Sequence, residues 1–194
     1  MAYNTNQGLW FQVQNGAIVA GPFGGVEYPD QTTAAANGWF PGFAPNPPPA
    51  YNMAYYSLPV TYTLTGDVVT VSYGTPTPLA LEQVQGAKIA ELNSAYAASI
   101  VAPVIYNGKT FQADETAVAN LTKMLLAFQA SAAVPAGFYW VAEDNSQVPF
   151  TYADMQGLAQ TIGVNGLTQF QHLQAKKAAV AAATTGAAVI AVTW

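Results

Sequence analysis

The stretch VIYNGKTFQADETAVANLTKMLLAF, residues 104–128, decides the fold class. Asn107-Gly108 separates two short β-prone runs. Asn-Gly is the strongest two-residue hairpin signal, because both positions tolerate a positive φ. Asp114 then stands where a helix N-cap belongs. Ala117, Val118, Leu121, Met124, Leu125 and Phe128 follow at helical spacing on one face, so a helix is expected over 115–131. A hairpin leading into a capped amphipathic helix points to an α+β fold.

Outward from this unit, residues 137–150 (GFYWVAEDNSQVPF) read as two short strands around a turn at 144–146. Thr151 caps a helix through Ile162, with Tyr152, Met155, Leu158 and Ile162 inward and Gly163 as its stop. A last helix is expected over 166–183, using Leu167, Phe170, Leu173 and Val180, followed by a short apolar strand. On the other side, Thr77 as N-cap and Pro78 as first helical residue open a helix over 79–101. Its apolar stripe is Leu81, Val84, Ile89, Leu92, Tyr96 and Ile100, and Pro103 ends it.

The leading third differs in character. Residues 9–20 read as a hairpin around Asn15-Gly16, 21–30 as loop, and 31–37 as two helical turns stopped by Gly38. The five prolines from Pro41 to Pro49 forbid helix and favour extended, polyproline-like chain. A second hairpin falls within 53–73, where Val60, Tyr62 and Leu64 alternate with Thr61 and Thr63, and Val69, Val71 and Tyr73 with Thr70 and Ser72. The expected division is therefore a β-rich, Pro-rich attachment module over 1–76 and an α+β domain over 77–194, with helix 79–101 as connector.

The chain has 194 residues, five Lys, no Arg, ten acids and one His, for a formal net charge of −5. Charged residues make up 8%, against ~25% in an ordinary soluble domain, while hydrophobic residues make up 52%. That is the reverse of a disordered composition. A nucleic-acid partner would call for a basic face and Arg forks, so none is expected. Without cysteine there is no disulfide and no thiolate site. The start lacks a basic region followed by an apolar run, so no signal peptide is read there. The apolar run 178–194 has 17 residues, mostly Ala, where a spanning helix needs ~20, so no membrane partner is expected.

Catalytic chemistry finds little support. His172 is the single histidine and falls opposite the Leu167/Phe170 stripe, a solvated position with no metal partners. Asp114-Glu115 sits where a cap and a first-turn acid favour the helix dipole, and Glu143-Asp144 lies in a turn. The glycines of 21–25 lack the Lys and Ser/Thr of a P-loop. Neither enzyme activity nor a cofactor is expected. A surface this poor in charge permits close packing. Trp10, Phe23, Trp39, Phe40, Phe43 and Tyr55, with Trp194 in the free apolar end 189–194, are the expected subunit contacts. The competing reading is a small aromatic core beneath Pro-rich loops.

Residues 86–183 resemble a domain of unknown function found at the C-terminus of tailed-bacteriophage tail-fibre and tail-assembly proteins. The matching features run in order: Lys88-Ile89-Ala90-Glu91-Leu92-Asn93, then Tyr106-Asn107-Gly108, Phe111 and Asp114, then Trp140 with Asp144-Asn145, then Thr151, Phe170, His172 and Lys176-Lys177-Ala178. Family members usually carry Arg in the first helix, and this chain has none. Asn15-Gly16, Gly21-Pro22 and Gly38-Trp39-Phe40-Pro41 are similar to the leading part of tail-fibre-associated phage proteins.

The resemblance implies a non-enzymatic structural part in a virion tail, at its tip, baseplate or fibre attachment. The protein would be made in the host cytoplasm, with other tail proteins and further copies of itself as partners. Phe111, Asp114, Trp140 and Thr151 would be structural in the second domain. The rivals are a tail-fibre assembly chaperone left out of the particle and a glycan-processing enzyme, the last requiring two carboxylates across a cleft.

Overall fold

A computed structural model of the chain describes residues 9–24 and 31–194. The fold is α+β, in two compact units, Met1–Leu79 and Ala80–Trp194.

The first unit is built on a five-stranded sheet. Its elements are β1 (Leu9–Gln14), β2 (Ala17–Phe23), α1 (Gln31–Ala36), β3 (Trp39–Phe43), β4 (Tyr56–Ser57), β5 (Val60–Thr65), β6 (Val68–Tyr73) and β7 (Thr77–Pro78). The strand order is β2-β1-β3-β6-β5, with β3 and β6 parallel and the other neighbours antiparallel. Asn15 (φ 52°) and Gly16 (φ 74°) turn β1 into β2, as their chemistry predicts.

Two expectations are corrected here. Gly21–Phe23 continue β2 rather than starting a loop; residues 25–30 of that expected loop lie outside the described residues. Pro41 does not begin a polyproline-like segment: Trp39–Phe43 form β3, between β1 and β6, and the remaining prolines follow the strand. A proline inside a sheet is tolerated here because β6 pairs with β3 only from Gly42 onward. Phe11, Val69 and Val71 form the buried core, with Ile18, Phe40, Leu64 and Tyr73 packed against it.

The second unit contains α2 (Leu81–Ile100), β8 (Val104–Tyr106), β9 (Lys109–Phe111), α3 (Glu115–Phe128), β10 (Tyr139–Val141), β11 (Gln147–Pro149), α4 (Tyr152–Ala182) and α5 (Gly186–Ile190). Thr77-Pro78 pair with Tyr56-Ser57 as β7 on β4 and do not open α2. Ala80 precedes α2 instead, and its N–H donates to Gln83 Oε1 at 3.3 Å. Asp114 caps α3 by accepting from Ala117 N–H at 2.9 Å.

The largest departure is α4. It runs for 31 residues, about 46 Å at 1.5 Å per residue, straight through Gly163 and Gly166. An unbroken helix keeps its phase. The inward series Met155, Leu158, Ile162 therefore continues through half-buried Gln169 to buried Leu173 and Val180. Leu167 and Phe170, expected inward, are left on the outer face, 58% and 47% exposed. Two glycines cost about 1 kcal/mol each in helix propensity, and the helix continues because its later turns bury Leu173 and Val180 and pack with α2. Gln85 of α2 supports that packing, its Nε2 donating to the carbonyls of Val180 (3.2 Å) and Ala183 (3.4 Å) at the end of α4.

Candidate contact surface

In the first unit the expected contact residues divide. Trp10 and Tyr55 are buried, each 5% exposed, which corrects their expected place on the surface: Trp10 lies on β1, flanked by β2 and β3, and the Tyr55 carbonyl accepts from Leu79 N–H at 2.9 Å. Phe40 is half-buried against the Phe11 cluster. Phe23 and Trp39 meet edge to face at 5.5 Å, Phe23 remaining exposed and Trp39 half-buried. Phe43 is exposed, as is Met53, which sequence reasoning did not single out. An open groove of about 550 Å³ lies where Pro45, Pro47 and Pro49 face Tyr73 and Pro76, and among the described residues no carboxylate, amine or imidazole lines it.

In the second unit the expected apolar segment 189–194 divides: Val189 packs inward, whereas Trp194 stays 37% exposed. Val189 is fully buried in α5, which replaces the expected strand because Thr185 caps a helical turn through Ala188 N–H. The Trp194 ring lies 4.8 Å from His172, edge to face, and 6.5 Å from Tyr96. His172 is thus half-buried beneath a tryptophan rather than solvated.

The four residues expected to be structural hold the other end of the unit. Phe111 sits in the core with Leu121, Met155 and Leu158. Trp140 stacks on Phe150 at 6.4 Å and is half-buried against that core. The Thr151 hydroxyl accepts from Asp154 N–H at 3.1 Å, and Asp154 accepts in return from Thr151 N–H at 2.9 Å, a complete capping box on α4. Outward from this body stand Ile105, Leu126, Tyr139, Val141, Val164, Leu167 and Phe170, all exposed. A helix restarted after Gly163 places the last two in the interior; the continuous phase of α4 turns them outward.

The acids serve the local backbone. Asp144 accepts from Ser146 and, at 3.0 Å, from Lys109 Nζ, which ties the β8–β9 hairpin to the β10–β11 turn. The Ser146 hydroxyl first, then the Ser146 N–H and the Lys109 ammonium, hold Asp144 well below the usual carboxylate range. Asp154 is lowered by the Thr151 hydroxyl and N–H, against an opposing contribution from burial. Burial and the Asp154 carboxylate raise the Tyr106 phenol, whose hydroxyl lies 3.3 Å from Asp154 Oδ1. Among the described residues no group of three His, Cys, Asp or Glu side chains is placed to hold a metal ion, and no helix is long and apolar enough to cross a membrane.

Both depressed carboxylates contribute stability that is complete above about pH 4, the ordinary Asp value, and is lost as pH falls through their lower folded values. The urea midpoint of the second unit should therefore fall on acidification. Asp154→Asn should flatten that acid limb. An unchanged midpoint at strongly acidic pH would contradict the assignment.

The profile of a family described as a domain of unknown function (DUF4376) matches residues 83–193. No curated protein and no solved structure matches the chain.

Proposed function

This chain belongs to the DUF4376 family, and from that premise we propose that it is a structural component of a bacteriophage tail, acting through protein–protein contacts. It works at the tail tip, the baseplate or the fibre attachment, after synthesis in the host cytoplasm, among other tail proteins and copies of itself. The stretch that resembles tail-fibre and tail-assembly proteins, residues 86–183, falls inside the matched region.

The observation that carries the reading is the surface. Among the described residues, 16 large apolar side chains are exposed while 20 apolar residues are buried. Three of the exposed ones, Val164, Leu167 and Phe170, follow one another along a single face of α4. Scattered apolar residues on a surface are ordinary, but a row of them on a rigid helix marks a contact. The low share of charged residues, 8%, adds to this, since few ionised side chains have to be desolvated when surfaces pack together.

Mass spectrometry of density-gradient-purified particles of the encoding phage tests the reading. Recovery of the chain at a fixed ratio to known tail proteins is the expected result. Its absence from particles, with recovery instead in a soluble complex with a fibre fragment, would overturn it in favour of an assembly chaperone.

A further inference from the structure

The outer edge of β5 carries no charge, proline or bulge to blunt it. Val60–Thr65 has no charged residue and no proline, and it pairs with β6 in unbroken register over six residue pairs. Exposed edges are normally blunted by charge, proline or bulges, and the opposite edge shows two of these. There β2 contains Pro22, and its register with β1 shifts twice. Among the described residues no strand pairs with the outer side of β5.

The hydrogen-bonding phase of that edge follows from one bond. Gly74 N–H donates to the Pro59 carbonyl at 2.8 Å, so 59 and 74 form a bonded pair. Bonded and non-bonded pairs alternate in an antiparallel ladder. Thr61, Thr63 and Thr65 are therefore bonded to β6, and the N–H and C=O groups of Val60, Tyr62 and Leu64 point outward. Tyr62 and Leu64 are also on the core-facing side, with Tyr62 4.9 Å from the Phe11 ring, yet Val60 and Tyr62 remain 36% and 38% exposed.

We propose that this edge pairs with itself: two copies of the chain join β5 to β5 antiparallel, about a two-fold axis between their Tyr62 residues. In that register Val60 faces Leu64 of the other copy, Thr61 faces Thr63, and Tyr62 faces Tyr62. Every outward N–H and C=O finds its complement, giving six bonds. The apolar side of one sheet continues into the apolar side of the next and covers Val60 and Tyr62, while the threonines form a ladder on the opposite face. Only position 62 faces its own copy in this register, where a charge would meet itself, and it is an uncharged Tyr; no pair across the proposed seam sets like charges together. The inference rests on the first unit alone and stands apart from any role in a virion.

Sedimentation of the full chain tests it. The wild type should show a concentration-dependent monomer–dimer equilibrium. Thr61→Lys with Thr63→Lys places lysine opposite lysine twice, and should raise the dimer Kd about tenfold or more with an unchanged circular dichroism spectrum. Thr61→Lys with Thr63→Glu places lysine opposite glutamate and should restore dimerisation. Val60→Pro removes one outward N–H without touching a bond to β6, and should weaken the dimer without introducing charge. A wild type that stays monomeric at hundreds of micromolar overturns the proposal, whether a different partner or another part of the chain then covers the edge. So does a dimer indifferent to the paired lysines, or one not restored by the lysine–glutamate combination.

Discussion

Gly157→Ala should destabilise the second unit by about 1–2 kcal/mol, although the same replacement at Gly163 and Gly166 of the same helix should stabilise it by up to about 1 kcal/mol each. All three glycines lie inside α4, where alanine is the better helix former. What separates them is the space beside them. A Cβ at Gly163 or Gly166 meets nothing within 4 Å. A Cβ at Gly157 lies 2.7 Å from the Tyr106 ring carbons Cε2 and Cζ, and closer still to the hydroxyl. That ring cannot easily retreat, because it packs on Phe150 at 6.0 Å and its hydroxyl is held by Asp154. The crowding therefore outweighs the gain in propensity. In a Tyr106→Val background the ring is gone, and Gly157→Ala should change sign and stabilise. Urea denaturation of the four proteins in this cycle measures the coupling. A loss that persists without the ring would show that Tyr106 is not its cause.

The contrast among these glycines marks what could be read without coordinates. Signals written in a few adjacent residues were legible. Asn15-Gly16 and Asn107-Gly108 form their turns with both residues at positive φ, and Asp114 and Thr151 cap the helices that follow them. Each depends on local backbone chemistry that tertiary contacts do not have to supply. Long-range choices were not legible. Nothing beside Gly163 says that α2 will pack along the residues beyond it. A reading that restarts the helix there restarts its phase as well, and so turns Leu167 and Phe170 inward. Lys88 is 3% exposed on α2, where its stem packs inside and its ammonium meets Glu91 at 3.0 Å, and an apolar stripe drawn from hydrophobic residues alone passes over it. The contact surface suffered most from this. Whether an aromatic residue faces in or out depends on its neighbouring strands, and so Trp10 and Phe43 looked equivalent in sequence.

Phe11→Ala should cost the first unit about 3–5 kcal/mol, enough to unfold a sheet whose core is this small. Phe11 is fully buried on β1, and the two strands beside it are shaped around its ring. On β2 a Cβ at Gly21 would lie 2.7 Å from Phe11 Cδ1, and on β3 a Cβ at Gly42 would lie 2.5 Å from Cε2. Gly21 also holds φ at 132°, which side chains rarely adopt, so its replacement is strained twice over. Gly42 is the cleaner probe: Gly42→Ala alone should destabilise, since the new methyl group competes with the ring for one space. Phe11→Leu leaves a gap near that space, so the pair Phe11→Leu and Gly42→Ala should cost less than the sum of its parts. Hydrogen exchange reads each unit separately. Phe11→Ala should abolish protection in β1, β3 and β6 while α4 keeps its own. The packing of the first unit around this ring would be disproved by additive costs in the pair, or by protected β6 amides in Phe11→Ala.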